Sequence, residues 1–281
     1  MQLPQSAILD CRPSLHGKVA FLTGGFGGIG RAAIRALTAH GVRVACTYAA
    51  GREEPAQIEA LLAEYPGMLS AHALELRSYA SIQSAIQAAH EQWQRLDILV
   101  NNAAVGSATV NGYADTQPEQ DSAMLAINAD GALKVCQAFL QMIAPTRDQI
   151  PRKLINISSV GGGVQVFPGF RLSDGMSKAA VAFMTRQLAA ELATTPIDVF
   201  ALCPGATNTP MFQASTLNHL TPEQQAALTA SLPKGRLIDP GEIANLIVFL
   251  ASAYSTPLHG AVIDASMGLG VRPGLITEQS H

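Results

Sequence analysis

The chain has 281 residues, of which 48% are apolar, 14% charged and 5% aromatic, a composition typical of folded globular proteins and unlike disordered or collagenous ones. Its 18 basic and 21 acidic residues leave a formal charge of -3 and form no basic stripe, which argues against a nucleic-acid partner. No stretch approaches the roughly 20 apolar residues that span a bilayer, so no membrane partner is expected.

The leading segment, 1–14, lacks the apolar core and basic flank of a secretory leader. Cys11, Cys46, Cys136 and Cys203 lie far apart without a C-x-x-C pair, a pattern that suits a reducing, cytoplasmic setting. The histidines show no H-x-x-x-H or H-E-x-x-H spacing, so no metal site is expected.

From residue 15 onward, short β-branched runs alternate with longer alanine-rich segments of helical period. Runs at 18–22, 42–48, 69–74, 96–100, 153–158, 197–202 and 261–264 predict seven strands. Segments at 29–40, 81–93, 119–142, 178–193 and 240–253 are long enough to be the crossovers that parallel strands require. With right-handed crossovers this pattern predicts an α/β, single-domain Rossmann fold, a doubly wound seven-stranded parallel sheet over 15–270, with 271–281 as a tail. The segment 206–236 breaks the rhythm with Pro210, Pro222 and Pro233. It follows a strand's carboxyl end, where ligands of open α/β sheets bind, and reads as a lid or as a surface excursion.

The first strand runs into Thr23-Gly24-Gly25-Phe26-Gly27-Gly28-Ile29-Gly30, which opens a helix. Such a turn brings backbone close to a pyrophosphate, whose charge meets free N–H groups and the positive end of the helix dipole. Gly24, Phe26, Gly28, Ile29 and Gly30 are therefore predicted cofactor contacts, although glycines at this turn also serve strand-to-helix packing. A 2′-hydroxyl of NAD(H) calls for a carboxylate at the end of the second strand. That strand ends Cys46-Thr47-Tyr48 without an acid, whereas Arg52 stands close behind. The expectation is NADP(H), with NAD(H) possible, and with Tyr48 and Arg52 beside the ribose. Arg52 also reads as a solvated charge ahead of Glu53 and Glu54.

Several further motifs follow in order: Asn101-Asn102-Ala103-Ala104, a helical Asn128, Ile155-Asn156-Ile157-Ser158-Ser159, Lys178, and Pro204-Gly205 with Thr209. From Leu15 to Gly268 the chain resembles the short-chain dehydrogenase/reductase family. The resemblance implies that Ser159 polarises a substrate oxygen, with Ser158 as the adjacent alternative. It further implies that Asn128 and Lys178 organise a proton relay, and that Asn102, Lys178, Pro204, Gly205, Thr207 and Thr209 hold the cofactor. Glu75 resembles the acid that contacts adenine. The resemblance also implies homodimers or homotetramers, built by pairing the helices over 119–142 and 178–193.

The family's catalytic pair is Tyr-x-x-x-Lys, and here Asp174 stands four residues before Lys178. No tyrosine occurs between Tyr113 and Tyr254, and Ser159 and Asp174 are about two residues farther apart than is usual in the family. Asp174 and Lys178 should share one helical face, and the lysine should depress the aspartate's pKa. Asp174 is expected either to substitute for the phenol, directly or through a water, or to cap its helix, a role that Ser173 also fits. The functional expectation is an oxidoreductase interconverting a small, partly hydrophobic carbonyl compound and a secondary alcohol with atypical proton delivery. Its alternatives are a dinucleotide-binding sensor or inactive partner without turnover, and a non-redox elimination or isomerisation.

Overall fold

A computed structural model describes residues 11–144 and 150–271; the expected tail beyond 271 and most of the leading segment lie outside the described residues. Strands β1 (Val19–Leu22), β2 (Arg43–Tyr48), β3 (Leu69–Ala73), β4 (Ile98–Asn101), β5 (Arg152–Ile157), β6 (Ile197–Pro204) and β7 (Val262–Ala265) form one parallel sheet in the order β3-β2-β1-β4-β5-β6-β7. Each lies within two residues of its predicted range. The central strands read as unbroken apolar runs because helices cover both faces of the sheet. Ala20 and Leu22 enter one core, while Val19 and Phe21 enter the other.

The α-helices of more than four residues are α1 (Gly28–Ala39), α2 (Pro55–Glu64), α3 (Tyr79–Trp93), α4 (Gln117–Leu125), α5 (Ala132–Ile143), α6 (Leu172–Leu192), α7 (Pro210–Ser215), α8 (Pro222–Ser231) and α9 (Pro240–Ala251). α2 lies outside the predicted crossovers because it buries only Leu61 and so carries little apolar period. Pro55 at its first position and a capping box between Glu54 and Gln57 start it instead. The single helix expected over 119–142 is divided by a six-residue π turn, Ala126–Gly131, between α4 and α5. α6 begins six residues earlier than predicted. The segment 206–236 contains two short helices, α7 and α8. Among the described residues no helix is long and apolar enough to cross a membrane.

The two strands that deliver chemistry, β5 and β6, are tied at their amino ends by a buried ammonium. Lys153 is 1% exposed, and its Nζ donates to Asp198 Oδ2 at 2.5 Å, Ser255 Oγ at 3.1 Å and Thr256 Oγ1 at 3.1 Å. All three donors of the ammonium are thereby satisfied. Asp198→Ala would leave the buried charge without its counter-ion and is expected to cost about 3–5 kcal/mol in urea unfolding. Lys153→Met combined with Asp198→Ala removes both charges and should cost clearly less than Asp198→Ala alone; equal losses would show that packing alone matters here.

Candidate active site

A cleft of about 640 Å³ opens at the carboxyl ends of the strands, where the chain order reverses between β1 and β4. Its floor is the glycine turn. Gly24 has φ +73°, a conformation suited to glycine. Gly24 N–H donates to Thr47 Oγ1 (3.2 Å) and Gly25 N–H to the Thr47 carbonyl (2.9 Å), which ties the turn to β2. Thr23 Oγ1 accepts the N–H groups of Asn102 and Ala103, both at 2.9 Å. Asn102 Nδ2 donates back to the carbonyls of Thr23 (3.0 Å) and Gly24 (3.1 Å). α1 then starts with no side-chain cap and no acid in its first turn, so its amino-terminal N–H groups face the cleft unneutralised. A Cβ on Gly28 would lie 2.7 Å from Thr209 Cγ2, so the loop after β6 closes directly on the turn. Uncapped N–H groups, bare glycine backbone and a positive dipole end together fit a nucleotide diphosphate.

At the other end stand Ser159, Asp174 and Lys178, all lining the cleft. Ser158 Oγ donates to the Lys178 carbonyl at 2.8 Å, which commits Ser158 to holding α6 against β5. Among the described residues Ser159 Oγ accepts only the Gly161 N–H (3.2 Å), which leaves its own proton to donate. The start of α6 is fixed by Asp121 on α4, which takes Arg171 Nε at 2.7 Å and Ser173 Oγ at 2.5 Å. Arg171 is the helix cap residue and Asp174 sits in the first turn, so neither Asp174 nor Ser173 caps α6 as one expectation had it.

The expected depression of the Asp174 pKa is overturned. Burial raises it above the ordinary aspartate value, and the attraction of Lys178 and then Arg171 only partly offsets this. Burial likewise pulls the Lys178 ammonium down, with Asp174 acting against it. Phe170, Met211 and Phe212 add an apolar wall beside these polar groups.

The far end, beyond the turn, departs from the sequence reading. Tyr48 meets Phe26 edge-on at 6.1 Å. Arg52 lines the cleft, but its guanidinium stacks 4.2 Å from the Tyr113 ring centre, and Arg77 approaches the same ring at 5.0 Å. Glu75 also lines the cleft and pairs with Arg77 through both oxygens. The sequence shows no acid at the end of β2; the structure brings one there, because Glu53 folds back into the cleft.

A family model described as enoyl-(acyl carrier protein) reductase matches residues 25–270. Oxidoreductase UcpA of Salmonella typhimurium is 33% identical over 263 residues, covering 91% of this chain and 96% of that protein. The chain belongs to the short-chain dehydrogenase/reductase family. Two solved structures of similar fold are the Brucella melitensis 3-ketoacyl-(acyl-carrier-protein) reductase complexed with NADH and the Pseudomonas aeruginosa RhlG/NADP active-site complex. The first has a TM-score of 0.76 at 26% identity and covers 92% of this chain and 100% of that one. The second has a TM-score of 0.80 at 29% identity and covers 93% and 100%.

Of the residues expected from the sequence, Gly24, Phe26, Gly28, Ile29, Tyr48, Arg52, Glu75, Asn102, Ser159, Asp174, Lys178, Pro204, Gly205, Thr207 and Thr209 all line this cleft. Gly30 does not. A Cβ there would collide with the Gly24 carbonyl, so its part is to let α1 start against the turn. Asn128 is also outside the cleft, at 2% exposure. Its amide clasps both backbone groups of Val105, at 2.8 and 2.9 Å, and reaches Ser177 Oγ at 3.4 Å. Glu53, Tyr113, Arg171 and Asp121 were missed, since each acts through a loop return or a contact across some 50 residues that leaves no local pattern.

In an NMR titration of side-chain carboxyls, Asp174 is expected to titrate above ordinary aspartate, and Lys178→Met to move it higher still by removing the attraction. A downward move in that variant would show that Lys178 does not stabilise the carboxylate.

Proposed function

We propose that the chain is a nicotinamide-dependent oxidoreductase that interconverts a small carbonyl compound and a secondary alcohol, with Asp174 handling the proton. The observation that carries this reading is the desolvated Asp174 carboxyl, beside Lys178 and Ser159 in the same cleft as the glycine turn. The fold's likeness to complexes holding NADH and NADP supports the cofactor class. The turn after β1, with Gly28, Ile29, Asn102 and Thr209, would hold the diphosphate, and Pro204, Gly205 and Thr207 the nicotinamide half. When bound, the reduced nicotinamide supplies a hydride to the carbonyl carbon.

The chain's own residues supply the rest. Ser159 donates a hydrogen bond to the carbonyl oxygen and so stabilises the charge that grows there. Asp174 in its acid form passes its proton to that oxygen and regains one from water. An aspartate is much shorter than a tyrosine, so the transfer runs to a closely seated substrate or across one water. Lys178 restrains the rise of the Asp174 pKa and keeps the carboxylate product of the step from being prohibitively unstable. Reduction needs the acid form, so its rate falls as pH rises through the Asp174 pKa, which burial places above the usual range. NADP(H) is favoured if Arg52 meets a 2′-phosphate; Glu53 at the same end opposes that choice.

One feature supports a second reading, dinucleotide binding without turnover: the tyrosines lining the cleft, Tyr48 and Tyr113, are at the end away from Asp174. Steady-state NADH and NADPH oxidation over a panel of small aldehydes and ketones separates the two. The wild type is expected to turn over, and Asp174→Asn to lose about 10²–10⁴-fold in kcat with the dinucleotide still bound. Unchanged turnover in the variant removes Asp174 from the mechanism; dinucleotide binding with no turnover on any carbonyl favours the second reading.

The protein is a homo-oligomer in this reading, cytoplasmic, with its cysteines free. Leu172 (78% exposed), Met176 (51%) and Phe183 (67%) line one side of α6, an apolar stripe that a second copy would cover. Light scattering should give at least twice the chain mass, and Phe183→Glu should lower it; a monomeric wild type contradicts the assignment.

A further inference from the structure

Two carboxyls compete for one guanidinium at the start of α6. Arg171 is the cap residue of this helix and stands three positions before Asp174, close enough to attract it, and both line the cleft. The helix dipole repels a cation at this terminus, so the Arg171 side chain is drawn to whatever acid it can reach. In sequence the nearest acid is Asp174 itself.

The fold gives the guanidinium to α4 instead. Arg171 Nε donates to Asp121 Oδ1 at 2.7 Å, and its terminal nitrogens reach Gln120 Oε1 at 3.3 and 3.4 Å and the Gln117 carbonyl at 3.5 Å. Ser173 Oγ donates to the same Asp121 oxygen, so one carboxylate grips the chain on either side of Leu172. The Ser173 hydroxyl, and then Arg171, hold the Asp121 carboxyl below the ordinary aspartate range, while burial holds Asp174 above it. Asp121 therefore keeps its charge, and its hold on Arg171, over the pH range in which Asp174 takes up a proton. The other charged groups nearby lie on the far side of Asp174. Lys178 faces it from one turn further along α6, Cys203 on β6 faces Lys178, and Asp264 on β7 faces Cys203. The loop 160–170, packed on the first turn of α6, carries no ionisable side chain.

Resting on the proton role proposed above, we infer that Asp121 is a positioning residue for that step: by holding the Arg171 guanidinium against α4, it stops Arg171 from pairing with Asp174 and leaves the Asp174 carboxyl free to carry a proton. Closure of Arg171 onto Asp174 would form a charge-assisted, two-pronged pair, fix the carboxylate form and withdraw the acid that reduction needs. An arginine thus stands beside a general acid without disarming it, because a second carboxylate, outside the reaction, occupies it.

Carboxyl NMR titration of the full chain tests this without any turnover. Asp121→Asn keeps the shape and an acceptor oxygen but removes the charge, and circular dichroism checks that the variant is folded. The Asp174 titration midpoint should fall in Asp121→Asn by about one pH unit or more. With Arg171→Gln already in place, the same Asp121→Asn change should move it by well under half as much, because the competing cation is gone. An unmoved midpoint in Asp121→Asn overturns the inference. Equal falls in both backgrounds overturn it too, since they would mean that Asp121 only sets the helix start and keeps water from Asp174. The pH profile of carbonyl reduction should be displaced downward in Asp121→Asn by the same amount as the midpoint. Undiminished turnover in Asp174→Asn would refute the proton role itself, whereas a lowered midpoint in Asp121→Asn would still establish that Asp121 controls Arg171.

Discussion

Everything in the cleft hangs from the clamp between the end of β1 and the end of β4. Thr23 and Asn102 exchange four hydrogen bonds across the point where the crossovers part to opposite faces, counting the Ala103 N–H on the Thr23 hydroxyl and the Asn102 amide on the Gly24 carbonyl. Each contributes on the order of 1 kcal/mol, and together they fix the turn's height relative to β4 more firmly than glycine-rich backbone could by itself. With that height fixed, Gly28 can sit under Thr209 and the first N–H groups of α1 can face outward. A looser turn would let α1 drift off the dinucleotide's path and would carry the β6 loop with it.

The substrate end depends on a second anchoring, of a different kind. The loop 160–170 runs between Ser159 and α6, and a Cβ on Gly162 would collide with the Gly175 backbone, so the loop lies hard against the first turn of that helix. Asp121 reaches across from α4 to bind Arg171 and Ser173 and thereby sets where α6 begins. The consequence for chemistry is indirect. By fixing the first turn, these contacts hold Asp174 half-buried while keeping it on the same side as Lys178. Desolvation therefore outweighs the attraction of the lysine, and the group becomes more acid-like than a salt-bridged aspartate would be.

How much of this was legible in the sequence follows from the range over which each signal acts. The strands were readable because parallel strands buried on both faces are apolar without interruption, and the turn, the Ser159 strand and Lys178 because their chemistry is local. The 119–142 segment misled because its apolar period runs on through the π turn, whose wider winding rotates Asn128 inward onto Val105. Spacing also placed Asp174 and Lys178 on one face correctly, yet it carries no information about burial, and burial decides the sign of the Asp174 shift. Glu53 was invisible for a related reason. In the sequence it belongs to an Arg-Glu-Glu run that reads as solvated, and only the fold of the loop turns one member of that run toward the cleft.

The two ends of the cleft turn out to pose the same physical problem. Glu53 presents an oxygen without a donor among the described residues, and Asp174 a half-buried carboxyl that Lys178 and Arg171 attract. In both, burial pushes the pKa up. Buried polar groups are rarely left unpaired, because each one subtracts from a small net stability. Both groups lie in one continuous cleft, with an uncapped helix terminus between them that is equally in want of an anion. An elongated ligand with a diphosphate in the middle and a proton-exchanging partner at one end would meet the helix terminus and Asp174 in a single binding event. Neither feature specifies such a ligand alone; their order along the cleft does.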